Sequence, residues 1–539
     1  MTSVTQTQAD APLSPGDRTD ANMALARLNA RRFGFAAGVI AALVMLLALV
    51  LLRLVSGVIS LLEVVADGFL LLLPGALFST ILDTLQRSAK PLMYLGVAVA
   101  TIVVGGVLGR WYSSQPGWKQ AARIVTAVWL VFGLGVYLLA GAGPFGARLQ
   151  AGPVWHGGTL LVLFAVFGLA LVEAFAFLSR RARGEPAPAD PGRRLMLRRG
   201  AVALLAVLGA GALWRLLGRA AEMGAGSRPS EAGALAGSLS NAPPFDIPGL
   251  SAELTPTNDF YQVSKNFIDP SVQASGWKLK IDGLVDRPME LSYDQLRALP
   301  ASEGIYALMC ISNEVGGEYW SNARWKGVKL SYLLEQAGAH TDAYKAVFSG
   351  ADDYKDSVKL ASALHPEALL AWEMNGEPLR KEHGFPARLL IPDIYGMKNV
   401  KWLTGISIVK EDVKGFWQYQ GWDDDAPYQI ASRIDTPRPR ASVQAGLLDV
   451  AGVAFAGDRG IQTVEVSTDG GKTWQEAEVK PRLSPEGWQL WRTQVTVDRS
   501  VRDVRVRATD GRGRQQIREP APPFPTGSTG YHTVNIAVT

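Results

Sequence analysis

A chain of 539 residues, 48% hydrophobic and 19% charged, is long enough for several domains, and its single cysteine excludes any intrachain disulfide. The formal charge of +5, from 54 basic against 49 acidic residues, is small and concentrated in the arginine-rich stretch Arg180 to Arg199. That is a membrane-topology signal and not a nucleic-acid footprint, so no nucleic-acid partner is expected.

Up to about Ala220 the chain is rich in Leu, Ala, Val and Gly, and from Asn258 onward in Trp, Tyr, Asp, Lys and turn residues. A membrane part therefore precedes a soluble part. Residues 1–32 are expected to form a disordered cytoplasmic tail. Apolar runs able to cross a hydrocarbon core of about 30 Å follow at Phe33 to Val55, Leu92 to Leu108, Ile124 to Ala142, Thr159 to Leu178 and Ala201 to Leu217. A sixth run, Leu62 to Leu85, carries Glu63, Asp67, Pro74 and Asp83, which makes a crossing costly.

Five crossings place the clusters Arg27/Arg31/Arg32, Arg110/Lys119/Arg123 and Arg180/Arg181/Arg183/Arg193/Arg194 all on the cytoplasmic side, whereas six force one outside. The expectation is a five-span helical domain over 33–220, with 62–85 in the outer interface or re-entrant. The protein is then a multi-pass cell-membrane protein in contact with the lipid bilayer, its soluble half outside the cytoplasm. The paired arginines Arg193-Arg194 and Arg198-Arg199, abutting a short Gly/Ala-rich apolar segment, resemble an internal twin-arginine export signal; ordinary positive-inside charge explains them equally well. Only His156 of the five histidines lies in this half, which excludes bis-histidine haem ligation within the bundle. Anchor and scaffold is the plainer reading of the bundle, with a quinone site left open.

Residues 221–257 are Gly/Ala/Ser/Pro-rich without periodicity and read as a flexible linker. "WKLKIDGLV" alternates Trp277, Leu279 and Ile281 with lysines, a half-buried strand turning at Asp282-Gly283. "LSYDQLRALP" reads as a short helix with a Ser292/Gln295 capping box, and "LSYLLEQAG" as another, capped by Ser331 and stopped by Gly338. Strands and short helices mix without a βαβ rhythm, so the expected class of 258–436 is α+β. After about Pro437 only strand and turn signals remain, such as the Asp469-Gly470-Gly471 turn and the alternation of Val504, Val506 and Ala508. That pattern suits an all-β, immunoglobulin-like sandwich over 437–539.

Cys310, taken alone, is a buried small hydrophobe, a nucleophile or a soft metal ligand. Its surroundings narrow this. "CISNEVGG", "MNGEPLRKEHGFPARLLIP" and "YGMKNVKWL" resemble, in order and spacing, the molybdopterin domain of the sulfite oxidase family. "GVAFAGDRGIQTVEVSTDGGKTW" with "GSTGYHTV" resembles that family's dimerisation domain. The resemblance covers about half of the chain, from Asn258 to the C-terminus.

The resemblance implies a membrane-anchored, molybdopterin-dependent oxidoreductase that holds a molybdenum-molybdopterin cofactor and moves an oxygen atom to or from a small molecule. Cys310 would ligate the metal, a soft thiolate suiting molybdenum already held by pterin sulfurs. His383, Arg388, Asn399, Val400 and Lys401 match cofactor-contacting positions, as do Asn258, Tyr261 and Gln262, with Gly350 a further contact. Asp352/Asp353 and Asp423 to Asp425 are expected to be solvated loops, and Gly316-Gly317 to serve backbone conformation. Trp372 stands where the family places a tyrosine beside the metal and is taken as a catalytic pocket wall with Tyr319 and Trp320. Arginines that gather around the oxo-anion in animal and plant sulfite oxidases are replaced here by Val315 and the neutral "YQVS" region, which disfavours a dianionic substrate. Expected partners are an external electron-transfer protein or the quinone pool and a second copy of the chain. The competing reading is a non-catalytic membrane-anchored binding module or dimerisation scaffold.

Overall fold

The computed structural model describes residues 15–56, 64–65, 89–140, 142–147, 149, 152–183, 245–266 and 269–539. The helical part and the β-rich part are separate compact units.

In the helical unit, helices run Pro15–Ser56, Ala89–Tyr112, Trp118–Leu130 and Gly152–Ala182, and the third continues through a π-helical turn, Val131–Val136, into Tyr137–Leu139. Among the described residues, four stretches are long and apolar enough to cross a membrane: Leu28–Leu52, Leu92–Tyr112, Trp118–Leu139 and Gly152–Ala182. They coincide with the first four expected spans. The fifth, 201–217, most of 62–85 and the paired arginines of 193–199 lie outside the described residues. The first two helices touch backbone to backbone through two glycine pairs spaced four apart. A Cβ on Gly38 would stand 2.0 Å from Gly105 O, and one on Gly109 2.1 Å from Gly34 O. Small residues let helices approach where no hydrophobic force separates helix from lipid.

The β-rich unit begins with two sheets. One runs in the order Met289–Ser292, Lys278–Gly283, Leu403–Val409, Lys345–Gly350, Lys355–Lys359, antiparallel except where Lys278–Gly283 meets Leu403–Val409. The other holds Ser302–Met309, Trp320–Lys329, Leu369–Met374 and Glu377–Pro378, with Arg388–Leu390 also on Leu369–Met374. Successive side chains of a strand face opposite ways. Leu370 and Trp372 accordingly enter the main core with Trp277, Leu279 and Ile281, while Leu369 and Ala371 enter a second core with Phe260 and Trp325.

The helices here are short: Tyr293–Arg297, Leu330–Ala337 and Leu360–Ala363. The result is mostly β where an even mixture was expected. Ser292 and Gln295 form the expected capping box, and Gly338 ends its helix at φ 68°. Ser331 is not a cap. That helix starts two residues earlier, at Leu330 after Lys329, with no side-chain cap bond.

The C-terminal part is two facing sheets. Ala431–Thr436, Gly446–Phe455, Gln489–Val497 and Glu478–Val479 form one; Ala441–Val443, His532–Val538, Asp503–Asp510, Ile461–Ser467 and Gln475–Glu476 form the other. Between them lies a core built on Trp491, Val464, Val504 and Val534. The Ala431–Thr436 strand, which precedes Pro437, pairs with Gly446–Phe455 in the first of these sheets.

A buried charge network ties the 412–424 segment to the first sheet. Lys398 Nζ lies 2.8 Å from Asp356 Oδ1 and 3.2 Å from Asp424 Oδ1, and Asp424 Oδ2 lies 2.6 Å from Lys345 and 2.8 Å from Lys414. Asp424 was expected to be solvated, yet it is the hub. Burial pushes its carboxyl up, but hydrogen bonds from Lys345 and Lys414 and the charge of Lys398 overcome this and hold it well below its usual range. Its contribution to stability is therefore present above the unfolded aspartate value and is lost as pH falls through and below it. Asp424→Asn should accordingly lower the melting temperature at pH 6 and narrow the gap to the parent below pH 3. Lys398→Met, which strands Asp356 in the interior, should cost about 3–5 kcal/mol by denaturant titration.

Candidate active site

Cys310 directly follows the Ser302–Met309 strand and opens a turn that the surrounding chain holds tightly. Its N–H donates to Tyr319 O at 3.0 Å, Asn313 N–H donates to Cys310 O at 3.0 Å, and Asn313 Oδ1 accepts from Tyr319 N at 2.9 Å. The C-terminal sheets clamp the same turn from outside. Arg433 Nη1 donates to Gly317 O at 2.9 Å and Ser528 Oγ to Asn313 O at 2.7 Å, and a Cβ on Gly316 would stand 2.2 Å from His532 Nε2. Gly316 has φ 77°, so this glycine serves backbone conformation and close approach, as expected.

The Cys310 thiol is 7% exposed, 3.0 Å from Ser312 Oγ, and burial pushes its pKa up. Its charge state is felt at three phenols, Tyr261, Tyr354 and Tyr395, each held above the usual tyrosine range mainly by burial. Tyr261 stacks on Phe260 at 5.5 Å and stands 6.5 Å from the Tyr319 ring. Tyr354 Oη donates within reach of Asp356 Oδ2 at 2.9 Å, which joins this wall to the lysine network. Neither Tyr354 nor Tyr395 carries a motif signal by itself; only the fold brings them here.

Beside this wall lie two cations that, among the described residues, form no ion pair. Arg388 is 5% exposed, with its guanidinium 5.1 Å from the Trp325 ring, Nη1 donating to His383 O at 3.3 Å, and Nε without a partner. Burial brings its pKa down to about 10. Lys401 donates to Glu382 O at 3.0 Å and stands 4.4 Å from the Trp402 ring, its pKa also lowered by burial. Both flank Gly384, where a Cβ would lie 3.0 Å from the Cβ of each. Gly350 adjoins the same place, because a Cβ there would lie 2.8 Å from Lys401 O. The nearby buried Arg459, by contrast, is neutralised by Asp393 at 2.7 Å and Asp510 at 3.2 Å.

His383 is 1% exposed, with Nε2 3.0 Å from Thr257 O. A carbonyl only accepts, so Nε2 carries the proton and Nδ1 is the free acceptor. Burial holds the ring neutral, with a pKa of about 3. It therefore presents a lone pair to its surroundings and no charge for a phosphate.

The remaining candidates divide. Asn399 spends its side chain on the loop, accepting from Ile391 N at 2.5 Å and donating to Tyr395 O at 3.3 Å; Val400 is a core residue at 1% exposure. Asn258 is exposed and accepts from Arg380, and Gln262 is exposed. Trp372 is 1% exposed and packs in the main core among apolar side chains. Trp320 packs on Trp488 and Phe455 of the C-terminal part, leaving Tyr319 as the aromatic of that pair near Tyr261. Asp352, expected in solvent, is 4% exposed and accepts from Asn266 at 2.8 Å.

Among the described residues no group of three or more His, Cys, Asp or Glu could hold a metal ion. One thiolate, an unpaired buried guanidinium and an unpaired ammonium therefore fit a metal that brings its own further ligands on a phosphate-bearing organic group.

That combination defines a molybdopterin-type site followed by a β-sheet dimerisation domain. Residues 266–417 match the family model described as oxidoreductase molybdopterin binding domain, and 425–536 the one described as Mo-co oxidoreductase dimerisation domain. Over 339 residues the chain is 33% identical to mitochondrial sulfite oxidase of Mus musculus, covering 53% of this chain and 62% of that one. It is 29% identical to sulfite oxidase of Arabidopsis thaliana, covering 51% and 85%. Over 148 residues it is 36% identical to the uncharacterized oxidoreductase YuiH of Bacillus subtilis, covering 27% and 72%. Among solved structures, the sulfane dehydrogenase SoxCD from Paracoccus pantotrophus aligns at 24% identity and TM-score 0.47, covering 53% of this chain and 81% of that chain. The chain belongs to the sulfite oxidase family of molybdopterin oxidoreductases, whose cofactor is molybdenum-molybdopterin. It spans only 62% of the mouse enzyme and 55% of the one from Macaca fascicularis.

Because only the thiolate is reactive, burial makes a direct prediction. In cofactor-free protein at pH 8, Cys310 should react with iodoacetamide at least tenfold more slowly than free cysteine, and at the free rate once unfolded in guanidinium. The absence of any other cysteine makes the mass shift unambiguous.

Proposed function

We propose that this protein is a membrane-anchored molybdenum enzyme that works outside the cytoplasm and transfers an oxygen atom to or from a small substrate. The observation that carries the reading is the placement of one buried thiol, three phenols and two unpaired cations around the same loops. When bound, the molybdenum cofactor supplies two-electron oxygen-atom-transfer chemistry, which side chains alone do not provide.

The roles of the chain's own residues follow from their surroundings. Cys310 would be the single protein ligand to the metal, deprotonated by it at neutral pH despite its burial. Arg388 and Lys401 would hold the phosphate-bearing tail through charge-assisted bonds, the Arg388 Nε–H being the donor left for it. His383 would accept from a pterin N–H or hydroxyl through Nδ1. Asn399, Val400 and Gly350 shape the loop that carries Lys401, while Asn258 and Gln262 sit at its exposed rim. Tyr261, Tyr354 and Tyr395 exclude water, and Tyr261 and Tyr395 add neutral hydroxyl groups.

The substrate class favoured is an S-oxide, an N-oxide or a sulfur oxyanion of low charge. Val315 offers no cation and Arg459 is already paired, so a dianion would find little compensation. The C-terminal sandwich, immunoglobulin-like in its two facing sheets, suits a homodimerisation role. Apolar helices and the cytoplasmic arginine clusters support five crossings, a linker over 221–257 and an extracytoplasmic catalytic part reached by the twin-arginine route. Electrons would pass to or from an external protein or the quinone pool.

Protein purified from a host that makes the cofactor should contain about one molybdenum and one pterin per chain. Arg388→Ala should weaken cofactor retention by about 2–5 kcal/mol, the usual cost of truncating one partner of a buried charge contact, and His383→Ala/Arg388→Ala should lose it. Cys310→Ser should keep pterin while losing turnover of S- and N-oxides with a dye donor. A folded parent without molybdenum or pterin would leave a binding module in place of an enzyme.

A further inference from the structure

His156 stands apart from the chemistry above. It lies near the start of the Gly152–Ala182 helix, 2% exposed, inside a bundle whose core is otherwise almost entirely apolar. Tyr137 Oη lies 3.5 Å from His156 Nδ1, and the two rings meet edge to face at 5.8 Å. With the phenol donating, Nδ1 is the acceptor, so Nε2 carries the hydrogen. That N–H is buried and has no hydrogen-bond partner.

An unmet buried donor costs about 1–3 kcal/mol, and an ionisable side chain within a membrane bundle marks a functional position by default. The local backbone is unusual in the same place. A π-helical turn, Val131–Val136, immediately precedes Tyr137, and such turns recur at functional sites. The turn at Pro144–Gly146 then folds Phe145 back at φ 49°, placing its ring 4.6 Å from Trp129. Trp129 Nε1 donates to Gly157 O at 2.9 Å, which fixes the indole beside the His156 helix. Gly146 allows the cover: a Cβ there would lie 2.7 Å from the imidazole ring.

One lone N–H donor with flat aromatic neighbours, in a bilayer-embedded unit, calls for an apolar, planar molecule bearing an acceptor oxygen. We propose that His156 Nε2–H, oriented by Tyr137 and flanked by Trp129 and Phe145, is the carbonyl-binding site for the head group of a membrane quinone. A phospholipid ester carbonyl shares the acceptor chemistry but lacks a planar ring, and the test below separates the two. The proposal rests on the reading that the enzyme exchanges electrons with the quinone pool, and it names where in this chain the quinone binds.

The test uses the full chain, cofactor-loaded, in detergent with added phospholipid, titrated with decylubiquinone and a short-chain menaquinone analogue and followed by calorimetry. The expected result is saturable binding that weakens at least tenfold in His156→Leu and is largely kept in His156→Gln, which retains an N–H donor. Tyr137→Phe, which frees the imidazole tautomer, should give an intermediate loss. Molybdenum content and dye-linked turnover should be the same in all four proteins, which separates failure of this site from failure of the enzyme reading. No saturable binding of either quinone by the parent, or equal binding by a folded His156→Leu, would overturn the proposal. So would phospholipid that native mass spectrometry finds on the parent but not on His156→Leu, with quinone failing to displace it.

Discussion

The β-rich unit is organised around a guanidinium that has been taken out of water without a carboxylate to meet it. Arg388 is 5% exposed, and moving such an ion into a protein interior costs several kcal/mol even after relaxation. The chain offsets part of this with the face of Trp325 and the carbonyl of His383, both of which polarise toward the cation without neutralising it. It then adds a second cation, Lys401, on the other flank of Gly384, which raises the local positive potential further. A fold selected for stability alone would close such a site with an aspartate. Here, among the described residues, no carboxylate closes it.

The same unit shows what closure looks like. Lys398 and Lys345 are more deeply buried than Lys401, yet each ammonium is matched by carboxylates within about 3 Å. Their partners, Asp356 and Asp424, join the second strand pair of the first sheet to the segment that leads into the C-terminal sandwich. Tyr354 connects the network to the wall around Cys310 through Asp356. Paired charges thus tie the scaffold together, and Arg388 and Lys401 stand outside that network. The clamp from Arg433, Ser528 and His532 on the turn after Cys310 extends the same division of labour to the sandwich, which positions the thiol without touching it.

Much of this was legible in the sequence where short-range chemistry decides structure. Alternation at Trp277, Leu279 and Ile281, the Ser292/Gln295 capping box and the left-handed Gly338 all involve residues within a few positions of each other. The resemblance carried by the Cys310, His383 and Lys401 motifs pointed to particular loops. It did not tell which side chains within them face the site, because that depends on backbone hydrogen bonds no spacing rule encodes. Asn399 turns back to Ile391 and Tyr395, and a one-residue alternation sends Trp372 into the core beside Leu370. The Asp424 hub was missed for the complementary reason: its partners Lys345 and Lys398 are distant in sequence, so a run of aspartates reads as solvent-facing until the sheet brings the lysines to it. The glycine pairs Gly34/Gly38 and Gly105/Gly109 were present as a spacing of four, but only the contact between the two helices gives that spacing a meaning.

Satisfaction of polar atoms therefore discriminates better than residue type. Asn399, chosen by motif, has its amide used by the fold. His383, chosen by motif as a donor, has its one proton already on Thr257 O. Arg388 keeps an unmet Nε–H, and so does Nε2 of His156, in a unit where no motif pointed. Folding tends to remove such orphans, because replacing a buried polar group by an apolar one of similar size is seldom costly. A guanidinium beside an aromatic face and an imidazole beside another are retained in positions where leucine would pack. The two proposals share one physical reason, a partner outside the chain, and differ in its chemistry: an anionic group for the cation and its neighbouring lysine, a neutral oxygen for the lone imidazole N–H.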